Sequence, residues 1–194
     1  SSDVCSSDLD FSLVNFNRAG VPLMELVTEP VIYSAEQAGA FARELQLLLR
    51  TLGAGDANME KGEMRVEANI SITKDPKVFG TKVEVKNLNS FKAVEKANAY
   101  EIVRHTSLLE AGKEIEQETR GWDEQKQATF SQRKKENSHD YRYFPDPDIT
   151  KFHISKVAEF TADALKASLP ELPWEKRARL AKDFGIKETD IEVL

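Results

Sequence analysis

The chain has 194 residues, 27 Lys and Arg against 33 Asp and Glu, and a formal charge of -6. With 40% hydrophobic and 31% charged residues it has a globular balance, which excludes the apolar-poor profile of a disordered chain. No stretch approaches the roughly 20 apolar residues that a membrane helix needs, so a soluble protein with no membrane partner is expected. One cysteine, Cys5, excludes a disulfide framework or a thiolate zinc site within the chain. An acidic total leaves RNA binding to a local basic patch or to a partner.

Residues 1–9 carry Ser-Ser-Asp twice and read as a non-native arm, a tag or scar set aside from fold reasoning; Cys5 is given no role with it. Ser34 with Gln37 forms a capping-box pattern, and Phe41, Leu45, Leu48, Leu49 and Leu52 recur at helical spacing before Gly53, predicting a helix over 35–52. From Met64 to Thr73 apolar and polar residues alternate strictly, which predicts a strand with one buried and one polar face. A second alternation, Thr81, Val83 and Val85 against Lys82, Glu84 and Lys86, predicts an antiparallel partner. Ser90 caps a predicted helix through Ala111 that carries Phe91, Val94, Ile102, Leu108 and Leu109. Shorter strands are expected at 114–119 and 127–133, with a turn at Gly121-Trp122-Asp123 between them. The aromatic and proline block from Tyr141 to Asp148 favours extended chain. Helices are expected again at about 155–168 and from Pro173 to Phe184, ended by Gly185. A capping pattern at Thr189 and Glu192, just before Leu194, suggests an internal piece of a longer protein.

The face formed by Arg65, Glu67 and Asn69 with Lys82, Glu84 and Lys86 carries the most chemistry. Carboxylates there would hold Mg²⁺ while Arg and Lys neutralise nucleotide phosphates; the plainer reading is a solvated face with ordinary cross-strand ion pairs. Glu25 lies in an apolar stretch, Val21 to Val27, and is either buried against a partner or the polar member of an edge strand. His105, His139 and His153 have no metal-ligand spacing, and His105 reads as a surface or packing residue. Arg133-Lys134-Lys135 is the best basic cluster, and there is no phosphate-binding glycine loop.

Four strings in one order go further. Asn17-Arg18-Ala19-Gly20-Val21-Pro22-Leu23-Met24-Glu25, Phe79 to Phe91, Gln117 to Glu124, and His139 to Asp148 closely resemble segments of the B subunit of aspartyl/glutamyl-tRNA amidotransferase (GatB). The resemblance runs from Asp10 to Leu194. It implies an α+β fold, an antiparallel sheet with packed helices like the glutamine synthetase catalytic domain, followed by the start of an all-α domain. Residues 10–153 would be the latter part of the catalytic cradle and 154–194 the first helices of the next domain.

The same resemblance implies a cytoplasmic heterotrimer with a glutaminase A subunit and a C subunit. The B subunit would use ATP and Mg²⁺ to phosphorylate the side-chain carboxylate of misacylated Glu-tRNA(Gln) or Asp-tRNA(Asn), and ammonia would displace the phosphate. Glu25 matches a glutamate associated with the metal site, and Glu67 falls where many members have aspartate. Both are implied metal ligands, and with Arg65 they make the implied catalytic set. Asn69, Lys86 and Arg142 are the implied nucleotide or phosphate contacts. The family's preceding part, with a glutamate-x-histidine metal motif, has no counterpart here, so the piece alone is expected to be inactive and aggregation-prone at its open sheet edge. The alternatives are a tRNA-binding or assembly module and an inert gene remnant.

Overall fold

The structure is a computed structural model that describes residues 14–17, 19–75, 77–134, 145 and 147–191. These fall into two units, Ser1–Val31 and Ile32–Leu194. In the first, the Ala19 N–H donates to the Phe16 carbonyl at 2.9 Å and Gly20 takes φ +78°, a left-handed turn that suits glycine. Residues 21–29 then run on as neither helix nor strand. Leu23 is 94% exposed and Glu25 is exposed with it, so Glu25 is not buried, and with no strand at 21–29 it is not the polar member of an edge strand either.

The second unit begins with α1, Ala35–Thr51. The Gln37 N–H donates to Ser34 Oγ at 3.2 Å, and the Tyr33 N–H donates to Gln37 Oε1 at 2.8 Å, so the capping pattern in the sequence is used. A hairpin follows, β1 (Val66–Ile70) and β2 (Val83–Leu88), paired antiparallel with Asn69 opposite Glu84 and Ala68 opposite Val85. Both strands are shorter or shifted relative to the alternation in the sequence, and a bulge between Val66 and Ala68 re-sets the register. Helix α2, Phe91–Glu110, is capped by Ser90, whose Oγ accepts the Ala93 N–H at 3.0 Å.

Strand β3, Glu118–Asp123, joins β2 in parallel, and β4, Ala128–Lys134, returns antiparallel to β3. The sheet order is β1-β2-β3-β4. It is therefore mixed, where an all-antiparallel sheet was expected. The reason is the helix between β2 and β3: it carries the chain back along the sheet, so the next strand enters from the same end.

The turn expected at Gly121-Trp122-Asp123 is strand, and Trp122 is buried. The chain reverses later, at 124–127, where Asp123 Oδ1 accepts the N–H groups of Gln125 and Lys126 at 3.0 and 2.9 Å. Gly121 serves close approach instead: a Cβ there would lie 2.7 Å from Phe130 Cζ and 2.6 Å from Gln132 Nε2.

One sheet face packs on α2, and α1 packs against α2, with Ala38 reaching the core. The core is Ile70, Val83, Val85, Leu88, Ala93, Val94, Ala97, Ile115 and Trp122. Each fully buried valine contributes about 1.5–3 kcal/mol of transfer free energy, so this cluster is the main stabilising term. Tyr100 meets Trp122 edge-on, ring centroids 6.3 Å apart.

The expected helix at about 155–168 is broken. Two 3-10 turns, Ile154–Lys156 and Ala158–Phe160, precede α3, Ala162–Ser168, because Val157 and Thr161 are extended and Thr161 restarts the helix as its cap. Helix α4, Pro173–Phe184, and a short α5, Glu188–Ile191, follow, with Gly185 left-handed at φ 64°. Arg177 of α4 donates to Glu44 of α1 at 2.5 Å.

Candidate functional site on the polar face of the sheet

Because side chains alternate along a strand, the residues between the core positions point to the sheet's other face. There β1 presents Glu67 and Asn69, β2 presents Glu84 and Lys86, and β3 presents Thr119. Lys86 Nζ lies 3.2 Å from Glu67 Oε1 and 3.7 Å from Glu84 Oε1. Thr119, opposite Glu84 in the parallel ladder, donates its hydroxyl to Glu84 Oε2 at 2.8 Å. The face thus holds one ammonium between two carboxylates, and one of those carboxylates is pinned by a buried hydroxyl.

Lys86 and Glu67 are 35% and 46% exposed, so their pair adds at most about 1 kcal/mol and is open to exchange with a ligand. Arg65 stands exposed just before β1, and Lys82 exposed just before β2. Arg133, exposed in β4, is opposite Thr119 in the β3–β4 ladder. The structure therefore brings together Glu67, Asn69, Glu84 and Lys86. Glu25 belongs to the first unit. Arg142, His139 and Lys135 lie outside the described residues.

Among the described residues no group of three or more His, Cys, Asp or Glu could hold a metal ion. Glu67 and Glu84 both lie within 4 Å of the Lys86 ammonium, a cation already between them. Mg²⁺ needs near-octahedral oxygen coordination, and these residues do not fit such a site.

Beneath β3, on the helix side, lies a network that the sequence pattern did not reveal. Glu101 and His105 of α2 have no exposed surface. Arg104 grips Glu101 through Nε at 3.0 Å and Nη2 at 2.7 Å, and Thr129 donates its hydroxyl to Glu101 Oε1 at 2.5 Å. Arg120 of β3 donates to Glu118 Oε1 at 2.6 Å and to Thr129 Oγ1 at 2.8 Å, and lies 3.3 Å from Glu101. Ser131 donates to Glu118. Burial pushes the Glu101 carboxyl up, but the His105 imidazole, Arg104 and Thr129 outweigh it and lower it to about 2. Glu118 is likewise lowered: burial opposes, and the Ser131 hydroxyl and Arg120 prevail. His105 Nε2 sits 3.1 Å from Glu101 Oε2, and Nδ1 has no hydrogen-bond partner among the described residues.

Of the apolar residues that mark this helix in the sequence, Val94 lies in the core and Leu108 and Leu109 pack against it. The fully buried stripe runs Ala93, Val94, Ala97, Asn98, Glu101, His105. The signal was the spacing of Glu101 and His105 from Val94 and Ala97, which puts two ionisable residues on the core stripe of the helix. Network and polar face meet on one strand: Glu118, Arg120 and Trp122 of β3 point down, so Thr119 points up at Glu84.

A mixed-sheet α+β domain, with a charged open face above a buried ionic layer, is the class of protein defined by this geometry. Residues 3–159 match the family model described as GatB/GatE catalytic domain, and the chain belongs to that family. It is 50% identical over 184 residues to the B subunit of the aspartyl/glutamyl-tRNA(Asn/Gln) amidotransferase of Crocosphaera subtropica, covering 94% of this chain and 37% of that protein. The B subunits of the same enzyme from Picosynechococcus and Rippkaea orientalis are 48% and 50% identical, over 95% and 94% of this chain and 37% of theirs. The chain thus spans about 37% of the length of these relatives. No helix among the described residues is long and apolar enough to cross a membrane.

Proposed function

We propose that this chain is part of the carboxylate-activating subunit of a tRNA-dependent amidotransferase. In this reading, the γ-phosphoryl group of ATP passes to a side-chain carboxylate oxygen of Glu-tRNA(Gln) or Asp-tRNA(Asn), and ADP departs. Ammonia from a glutaminase A subunit, held with a C subunit in the cytoplasm, then attacks the acyl carbon; phosphate leaves, the nitrogen loses a proton, and the amide remains. A carboxylate is a poor acyl donor, so phosphorylation supplies its leaving group. The protein's share is positioning and charge neutralisation.

The observation that carries the reading is an ammonium held on an open, polar sheet face in a member of this family. Lys86 is assigned to a phosphate oxygen, with Asn69 beside it as a hydrogen-bond donor and Arg65 and Arg142 as further cations. Glu25 keeps the carboxylate role that the family resemblance implies. Glu67 is the exposed ion-pair partner of Lys86.

The test uses the polypeptide as the cell makes it, with the partners that copurify. With γ-labelled ATP and Glu-tRNA(Gln), phosphate release should depend on the misacylated tRNA. Lys86→Met should lower it roughly 100-fold, the scale for losing one charge-stabilising donor. Release indifferent to the tRNA would sink the reading. The 194-residue segment alone is expected to show no turnover.

A further inference from the structure

The two carboxylates beside Lys86 are not equivalent. Glu67 sits on the edge strand β1 with its side chain 46% exposed, and its link to Lys86 is a surface ion pair. Glu84 sits on the inner strand β2 with its side chain 14% exposed, and its second oxygen accepts the hydroxyl of Thr119, which is 2% exposed. Thr119 is fixed in turn, because the flanking Glu118 and Arg120 are tied into the buried layer on the opposite face. An anion arriving on the face can displace Glu67, which water and side-chain entropy already loosen. It cannot displace Glu84 without breaking a hydrogen bond that burial protects.

We propose that Glu84, anchored by Thr119, is the positioning residue for Lys86, holding its ammonium on the polar face while a nucleotide phosphate takes the place of Glu67. The proposal deepens the nucleotide reading above and rests on it for the identity of the ligand. Glu84 does not touch the phosphate in this scheme. Its negative charge so near an anion would by itself oppose binding, which gives the two roles opposite signs.

Equilibrium binding of ATP to the native polypeptide with its partners separates them. Positioning requires that Glu84→Gln and Thr119→Val each weaken ATP binding, by about tenfold or less, the scale of one partly exposed ion pair. Thr119→Ser, which keeps the hydroxyl, should bind as the parent does. In a Lys86→Met background Glu84→Gln should have no further effect, because Glu84 acts through Lys86. Unchanged or tighter binding by Glu84→Gln, or an additive loss in the Lys86→Met background, overturns the proposal.

A second arm needs no ligand. The side-chain NMR signal of Lys86, assigned by its loss in Lys86→Met, should move to the position of a freely exposed lysine in Glu84→Gln and Thr119→Val but not in Thr119→Ser. If the parent protein fails to bind ATP, the nucleotide reading falls, and this arm still decides whether Glu84 holds Lys86. A Lys86 signal that none of the variants moves overturns it.

Discussion

Glu101→Gln replaces a carboxylate with a near-isostere and leaves the helix, the core and the partner side chains in place. The carboxylate has no exposed surface and faces Arg104 at 2.7 Å, Arg120 at 3.3 Å and His105 at 3.1 Å. Its pKa falls from 4.5 to about 2 on folding. At about 1.4 kcal/mol per unit this makes the ionised form worth about 3 kcal/mol to the folded state. The direct route gives a similar figure: removing one member of a buried ionic cluster costs about 3–5 kcal/mol, because its partners are left buried without compensation.

Urea unfolding at pH 7, followed by far-ultraviolet circular dichroism, should therefore show the variant less stable by about 3 kcal/mol. The pH dependence has a definite sign. Below 4.5 the unfolded chain binds a proton at Glu101 that the folded chain refuses until about 2. The stabilisation is thus complete above 4.5 and is lost as pH falls through the folded value, so the gap between parent and variant should narrow from pH 4.5 towards 2. A gap under about 0.5 kcal/mol at pH 7, the range of an ordinary surface substitution, would show that the buried carboxylate does not stabilise the fold. A gap that stays constant with pH would show that its ionised form is not the source of the stability.

Gly80→Ala should destabilise by about 1–3 kcal/mol in the same unfolding assay, since the added Cβ would lie 2.1 Å from the Ile72 carbonyl oxygen and one backbone segment must move. Ser90→Ala should cost about 1 kcal/mol by removing the acceptor for the Ala93 N–H at the start of α2; Ser90→Asp should recover most of it. Trp122→Ala should cost about 3–5 kcal/mol and abolish the near-ultraviolet dichroism of the domain, whereas Trp174→Phe should leave both almost unchanged because Trp174 is 47% exposed. A folded, fully stable Trp122→Ala protein would show that the core is centred elsewhere.

Helix α1 with its Ser34 cap, the β1–β2 hairpin, the Ser90 cap of α2, and the proline start and glycine stop of α4 were all legible in the sequence, because each rests on interactions within a few residues of chain. Strand alternation by itself also sorts Glu67, Asn69, Glu84 and Lys86 onto one face. The family is recognisable from the four sequence strings for the same kind of reason: identity is a property of order, not of contacts.

Tertiary structure decided what depends on partners distant in sequence. It set β3 parallel to β2, moved the reversal from Gly121 to residues 124–127, and buried Glu101 and His105 on the same stripe of α2 as Val94 and Ala97. No local rule predicts a buried carboxylate, because its burial is tolerable only once Arg104, Arg120 and Thr129 arrive from the same helix and from two other strands. The same holds for Glu84. Its sequence neighbours mark it as a polar strand residue beside Lys86, and only the fold brings to it the hydroxyl of Thr119, 35 positions away.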